Sequence, residues 1–440
     1  IRLSVRQFLD SSAKFVGAVF SSGASFSIFV SQISSLGVVS HPEASGYVSN
    51  NIKTMKRLIY LVSCLSVSVF FLSSCDKGET ETAANPADYL RNDDQKAMVS
   101  TLKNLADGHL YSVKYSSDYH IDEVMSSGGA SSSMQLLGKV VPMLTTVPLG
   151  KADGGVDFGC SAFCVKSPEG DVLVGRNFDY RFVSSSNVLV HNVTKGVHES
   201  ICISALPFLD KDTYVAGALS DGKTDLSIPV TASIYCCLDG MNDAGLFIGV
   251  LSLRGTGGAV QHDPGKSDIV PTLAIRLVLD RCTSLEQAVE VFRSHNFFAD
   301  GDNSDSNYHF LIADASGKSV VVEYYRPGEV PPLSDPSAKD WTMNLLDTDH
   351  VTNFYLSEGW RNVGGGKERY DKLHETLEKK NRVMTEDECM SLLDAVHTDL
   401  QSEGGDITSN TQWSVVYNLT KKTATICVDK DYNRKLPYRL

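Results

Sequence analysis

The sequence carries no G-x-x-x-x-G-K-[ST] loop, no H-E-x-x-H pair and no EF-hand loop. Nothing in it is patterned to cradle a nucleotide phosphate, bind zinc on one helix face or cage calcium. It also lacks basic excess: 40 Lys and Arg stand against 53 Asp and Glu, a net charge of -13. That balance argues against nucleic acid as a partner and against a polybasic membrane patch. Ten cysteines are present, without the spacing of a small disulfide scaffold. Cys160 and Cys164 lie four apart, but no second ligand pair follows, so zinc is disfavoured. No cofactor and no metal are expected. What remains is an ordinary globular composition, 42% hydrophobic and 21% charged over 440 residues. That length has room for two or three average domains, or one large domain after processing.

The first 54 residues begin with Ile1, are Ser-rich and show no clean helical period. Met55-Lys56-Arg57 then forms a basic segment, Leu58 to Leu72 an apolar one, and Leu72-Ser73-Ser74-Cys75 a lipobox. The apolar run has the length of a signal h-region and is short for a bilayer span, although a short membrane anchor is the alternative. The order resembles a bacterial lipoprotein signal, with translation starting at Met55 and lipid on Cys75. Residues 1–54 would then be upstream sequence. Asp76 to Asn85 is polar and acidic, as in a tether.

The chain is organised around residues 155–182. Ser161 to Lys166 is apolar and β-friendly, Ser167-Pro168-Glu169-Gly170-Asp171 is turn chemistry, and Val172 to Val174 starts a returning strand. That hairpin brings Arg176 and Asp179 back toward Cys160. A thiol, a guanidinium and a carboxylate at one strand end are the parts of an activated nucleophile.

Before it, Leu90, Met98, Leu102 and Leu105 space a helix within 86–105, and Met134 to Leu149 is apolar with Pro142 and Pro148 limiting any helix. After it, strands are expected at 187–193, 200–205, 229–238 and 245–253. Pro271 to Cys282 reads as a helix, and Ser284 with Gln287 as the capping box of another. Strands at 308–313 and 319–325 follow. Helices are expected at 366–380 and 385–398, and strands at 412–419 and 423–428. Hairpins interrupted by helix pairs, without βαβ alternation, indicate an α+β fold with antiparallel sheets.

Five blocks carry a family resemblance: Gly-Cys-Ser-Ala-Phe…Gly-Arg-Asn-Phe-Asp-Tyr, Gly-Met-Asn-Asp-Ala-Gly-Leu, Val-Thr-Asn-Phe, Glu-Arg-Tyr and Thr-Gln-Trp-Ser-Val-Val-Tyr. In this order they resemble the linear amide C–N hydrolases, the choloylglycine hydrolase and penicillin V acylase group of N-terminal-nucleophile (Ntn) hydrolases. The resemblance spans about residues 155–440. It implies a four-layer αββα sandwich and a cysteine that becomes the N-terminus by autocatalytic cleavage between Gly159 and Cys160.

By position it implies Cys160 as nucleophile, Arg176 and Asp179 flanking it, Asn242 and Asn353 lining an oxyanion site, and Arg369 supporting the cluster. Elementary chemistry agrees. A guanidinium favours thiolate, a freed α-amine titrating near pH 8 can take the thiol proton, and amide N–H groups stabilise an oxyanion. The 84 residues between Cys75 and Cys160 are similar to the long pro-segments of the isopenicillin N acyltransferase and acid ceramidase groups, which argues against bile-salt specificity.

The resulting expectation has four parts: upstream residues 1–54, signal and lipobox 55–75, tether and pro-segment 76–159, and a catalytic chain 160–440. It describes an exported, membrane-anchored lipoprotein zymogen that cuts a small-molecule linear amide through a Cys160 thioester. Its cleaved pro-segment stays as a second chain, lining the entrance, and membrane contact is through lipid only. Homo-oligomerisation is left open. Competing readings are an acyltransferase or peptidase of the same fold, or a catalytically silent surface ligand-binding lipoprotein.

Overall fold

The computed structural model describes residues 89–146, 159–180, 184–209, 226–299, 306–329, 333, 341–399 and 410–440. The expected upstream segment 1–54, the Met55 signal with Cys75 and the tether lie outside these residues.

Among the described residues seventeen strands run in chain order: β1 (Lys103–Ala106), β2 (Leu110–Tyr115), β3 (Gly159–Lys166), β4 (Val172–Tyr180), β5 (Asn187–Asn192), β6 (Ser200–Ala205), β7 (Cys237–Asn242), β8 (Leu246–Arg254) and β9 (Asp268–Ile269). Then come β10 (Asn296–Phe297), β11 (Ser306–Asp314), β12 (Ser319–Tyr325), β13 (Thr342–Leu346), β14 (His350–Val351), β15 (Asn410–Asn418), β16 (Thr423–Val428) and β17 (Leu436–Arg439). One nine-stranded sheet has the order β1-β2-β5-β6-β7-β8-β11-β12-β13, and a six-stranded sheet has β14-β3-β4-β15-β16-β17. Pairing is antiparallel throughout the two, except for parallel β2–β5.

Strand alternation sorts the side chains into layers. On β3 and β4, Phe163, Val165 and Leu173 pack against the helices Lys367–Lys379 and Glu386–Ala395. Their neighbours Cys160, Ala162, Val172 and Val174 belong to the core between the sheets. On the far face of the large sheet, Gly240 lets Leu279 of the helix Pro271–Arg281 approach so closely that a Cβ would lie 2.8 Å from its methyl. Helix, sheet, sheet and helix therefore stack in four layers, the αββα sandwich of an α+β protein.

The hairpin β3–β4 forms as the turn chemistry predicts, with Ala162 opposite Arg176 and Gly159 opposite Asp179. Thr385 and Glu388 complete a reciprocal capping box. At Ser284 the box is displaced by one residue: Ser284 accepts from Gln287 N–H, but the Gln287 side chain accepts from Thr283. Three expectations need correction. Residues 229–238 are not one strand; Ser227–Ser233 is helical and β7 begins at Cys237. Pro229 falls in the first turn of that helix, where a missing N–H breaks no bond. The helix expected within 86–105 is confined to Asp93–Val99. The hydroxyls of Ser100 and Thr101 turn back onto the Ala97 and Met98 carbonyls and end it. Pro142 does not stop the helix Ser133–Leu144, which runs two residues past it; Arg91 donates to the carbonyls of Pro142 and Thr145 at its C-terminal end.

Cys160, Cys164, Cys236, Cys282, Cys389 and Cys427 are free and buried, and Cys202 and Cys237 form a disulfide across 35 residues. No helix among the described residues is long and apolar enough to cross a membrane.

Candidate active site

The site lies where β3 and β4 of the small sheet face β7 and β8 of the large one. Cys160 is fully buried, and its thiol donates to the Val250 carbonyl at 3.7 Å. Arg176, two residues diagonal to it on the same face, donates to that carbonyl at 2.6 Å. The guanidinium also donates through Nε to Asp239 at 3.1 Å, while Nη1 has no hydrogen bond of standard geometry. Gly249 makes room for this: a Cβ there would press at 2.9 Å on the Phe247 ring and 3.4 Å on the Arg176 stem.

Burial pushes the Cys160 thiol up to about 12; Arg176 pulls it down and Asp179 pushes it up. The guanidinium pulls in the direction expected from sequence, but burial outweighs it and the thiol is held protonated. Desolvation outweighs one cation because the charged form loses its water on every side.

The backbone of Cys160 is gripped at both ends. Its N–H donates to Asn353 Oδ1 at 2.6 Å, and its carbonyl accepts from Arg369 Nη1 at 2.5 Å. Arg369 reaches Ser161 Oγ at 2.6 Å and Asn353 Oδ1 at 2.8 Å, and lies 3.6 Å from Asp179 Oδ2. Both groups facing that Asn353 atom can only donate, which fixes it as the oxygen. The Asn353 amide nitrogen donates to the Ser252 carbonyl at 2.8 Å. Asn353 thus holds the Cys160 nitrogen through its oxygen and spends one amide hydrogen on Ser252. Gly364, at φ +104°, passes so close that a Cβ would meet the Asn353 carbonyl oxygen at 2.2 Å.

Asp179 stands on the opposite face of β4 from Arg176, toward the helix carrying Arg369. Its Oδ1 accepts from Thr411 at 2.6 Å and its Oδ2 has no hydrogen-bond donor.

Asn242 does not join this group. Its amide donates to the carbonyls of Leu279 at 3.1 Å and Cys282 at 2.8 Å, and its oxygen accepts Leu246 N–H at 3.1 Å. It closes the β7–β8 turn and caps the helix Pro271–Arg281. Leu246 is four residues from Val250, roughly 13 Å along the strand. Two helix-end carbonyls take both amide hydrogens and a turn N–H occupies the oxygen, the work of a turn asparagine.

Sequence reasoning missed Asp239, which accepts from Arg176, from Trp413 Nε1 at 3.1 Å and from Tyr417 at 2.6 Å. A carboxylate next to Cys236-Cys237-Leu238 was the available signal, because a charge in an apolar strand needs partners. Thr411, Trp413 and Tyr417 all fall in the last of the five family blocks.

Among the described residues one group of potential metal ligands gathers, Asp118, His120 and Glu123, remote in sequence from every residue of this site.

The sequence model of the acyl-coenzyme A:6-aminopenicillanic acid acyl-transferase family matches residues 165–433, beginning five residues after Cys160. No curated protein matches the chain. Among solved structures, a mutant of the conjugated bile acid hydrolase from Clostridium perfringens is similar at 15% identity and a TM-score of 0.42, over 64% of this chain and 92% of that one. A second variant of that hydrolase gives 16% and 0.43 over the same shares. Penicillin V acylase from Agrobacterium tumefaciens gives 14% and 0.36, over 61% of this chain and 83% of that one. The matched span exceeds half the sequence, and the chain belongs to the acyl-coenzyme A:6-aminopenicillanic acid acyl-transferase family.

Proposed function

We propose that the protein cuts itself between Gly159 and Cys160 and then acts on linear amides through a Cys160 thioester. The observation that carries this reading is the grip on Cys160: nitrogen on Asn353, carbonyl on Arg369, thiol beside Arg176. A buried structural cysteine needs backbone partners, but not three polar side chains from distant parts of the chain converging on it. In self-cleavage the thiol sulfur attacks the Gly159 carbonyl carbon, the Gly159–Cys160 C–N bond breaks, and water releases Gly159 from the thioester. The freed α-amine of Cys160 then accepts the thiol proton. Sulfur attacks the substrate amide carbon, the amine leaves with a proton, and water or another amine takes the acyl group.

The family match favours a second reading, in which the acyl acceptor is an amine. One panel separates the two. The purified protein is offered penicillin V, bile conjugates, N-acyl amino acids and N-acyl amines, with and without 6-aminopenicillanic acid; an acyl-coenzyme A plus 6-aminopenicillanic acid forms a separate arm. Free acid as product indicates hydrolysis, and a new amide indicates transfer. Failure of every arm to acylate Cys160 would favour a silent ligand-binding protein.

The Met55 signal and Cys75 lipobox lead us to place the protein outside the cytoplasm. A buried Cys202–Cys237 disulfide suits an oxidising compartment. Labelled fatty acid should enter the wild type and not Cys75→Ala; incorporation that survives the substitution excludes the lipobox.

A further inference from the structure

We propose that Thr411 is a positioning residue that holds Asp179 to receive the new α-amine of Cys160. This inference rests on the self-cleaving reading above. It begins with a bulge: the β15–β4 register shifts between Thr411 and Trp413, leaving Thr411 opposite Asp179. A bulge re-aims side chains where a regular ladder would not.

The Thr411 hydroxyl accepts Thr398 N–H at 2.8 Å. A backbone N–H can only donate, so the single hydroxyl hydrogen is directed elsewhere, and it goes to Asp179 Oδ1 at 2.6 Å. A backbone bond from Thr411 N–H to the Thr398 carbonyl at 3.0 Å fixes the pair from the other side. One carboxylate oxygen is thereby clamped. The other, Oδ2, is buried without a hydrogen-bond donor, and Arg369 at 3.6 Å is beyond that range. A buried carboxylate oxygen left open is costly and calls for a partner.

The uncut chain offers it the Arg369 charge as an ion pair at 3.6 Å but no hydrogen bond. The nitrogen of Cys160 carries one hydrogen, taken by Asn353 Oδ1. Cleavage turns that amide into an amine and creates new N–H donors. The nitrogen belongs to the peptide joining Gly159, the register partner of Asp179, to Cys160, the partner of Phe178. Oδ2 is thus an acceptor prepared for a donor that exists only after cutting. Thr411 acts on catalysis through Asp179 and touches no substrate.

The test compares wild type with Thr411→Val, which keeps the shape and removes the hydroxyl, and Thr411→Ser, which restores it. Iodoacetamide is the probe, read at pH 7 as mass added to the chain that begins at Cys160. We expect Thr411→Val to be cut to the wild-type extent but alkylated about tenfold more slowly, a fraction of what a positioned base contributes. With any substrate found in the panel, kcat should fall and KM stay. Thr411→Ser should remain within about twofold of wild type. Should the Val protein not fold, Thr411→Ala takes its place. A cut Val or Ala protein alkylated at the wild-type rate overturns the proposal, as does a Ser protein as slow as Val. A wild type left uncut overturns the parent reading as well.

Discussion

Arg176→Met is expected to remove catalysis and about 3–5 kcal/mol of stability together. The guanidinium is fully buried and ion-paired to Asp239 at 3.1 Å, and deleting one partner of a buried pair strands the other's charge. Trp413 and Tyr417 still donate to Asp239, which limits the loss to that range. Against a total domain stability of about 5–15 kcal/mol this is a large fraction. The thiol, already held protonated by burial, would lose the cation that opposes that effect. Arg176→Lys separates the two consequences. It keeps a charge near Cys160 but cannot reach Asp239 and the Val250 carbonyl as a fork, so it should fold and turn over slowly. Chemical denaturation midpoints and alkylation rates check this; a Met protein of wild-type stability would mean that the pair carries no such weight.

The second large effect concerns the pro-segment. It is expected to remain bound after cutting, so that two chains co-elute under native conditions and part only in denaturant. β1 and β2 form one edge of the nine-stranded sheet, with β2 in parallel register on β5 from Leu110–Asn187 to Tyr115–Asn192. Leu110, Val113, Tyr115, Leu136, Val140 and Leu144 are buried in the shared core. Each fully buried apolar side chain contributes roughly 1.5–3 kcal/mol. Removing them would also strip β5 of a partner and expose an unpaired edge. A catalytic chain expressed from Cys160 alone should therefore be insoluble. If it folds and the smaller fragment leaves freely, the segment is a disposable plug.

Both effects depend on elements that the sequence made legible to different degrees. β3–β4 was readable because its turn residues and short apolar runs are local signals. The two catalytic-chain helices 367–379 and 386–395 were readable from period and caps. The strand pairing of the pro-segment was not, because β2–β5 is a parallel, long-range contact with no local turn to announce it. At the site, Cys160, Arg176, Asn353 and Arg369 come together as the family blocks imply. Asn242 does not, since a turn asparagine and an oxyanion donor look alike in one dimension. Asp239 and Thr411 stayed hidden because their partners lie far along the chain, 63 residues from Arg176 and 232 from Asp179. That the Asn353 oxygen accepts the Cys160 N–H is a contact no sequence pattern encodes.

The most direct test of the account is intact mass with N-terminal sequencing of purified wild type and Cys160→Ala. The account predicts two chains for the wild type, the larger beginning Cys-Ser-Ala-Phe, and a single chain joined through residue 160 for the substituted protein. An uncut wild type that nevertheless turns over an amide, or a Cys160→Ala protein split at the same bond, would contradict it.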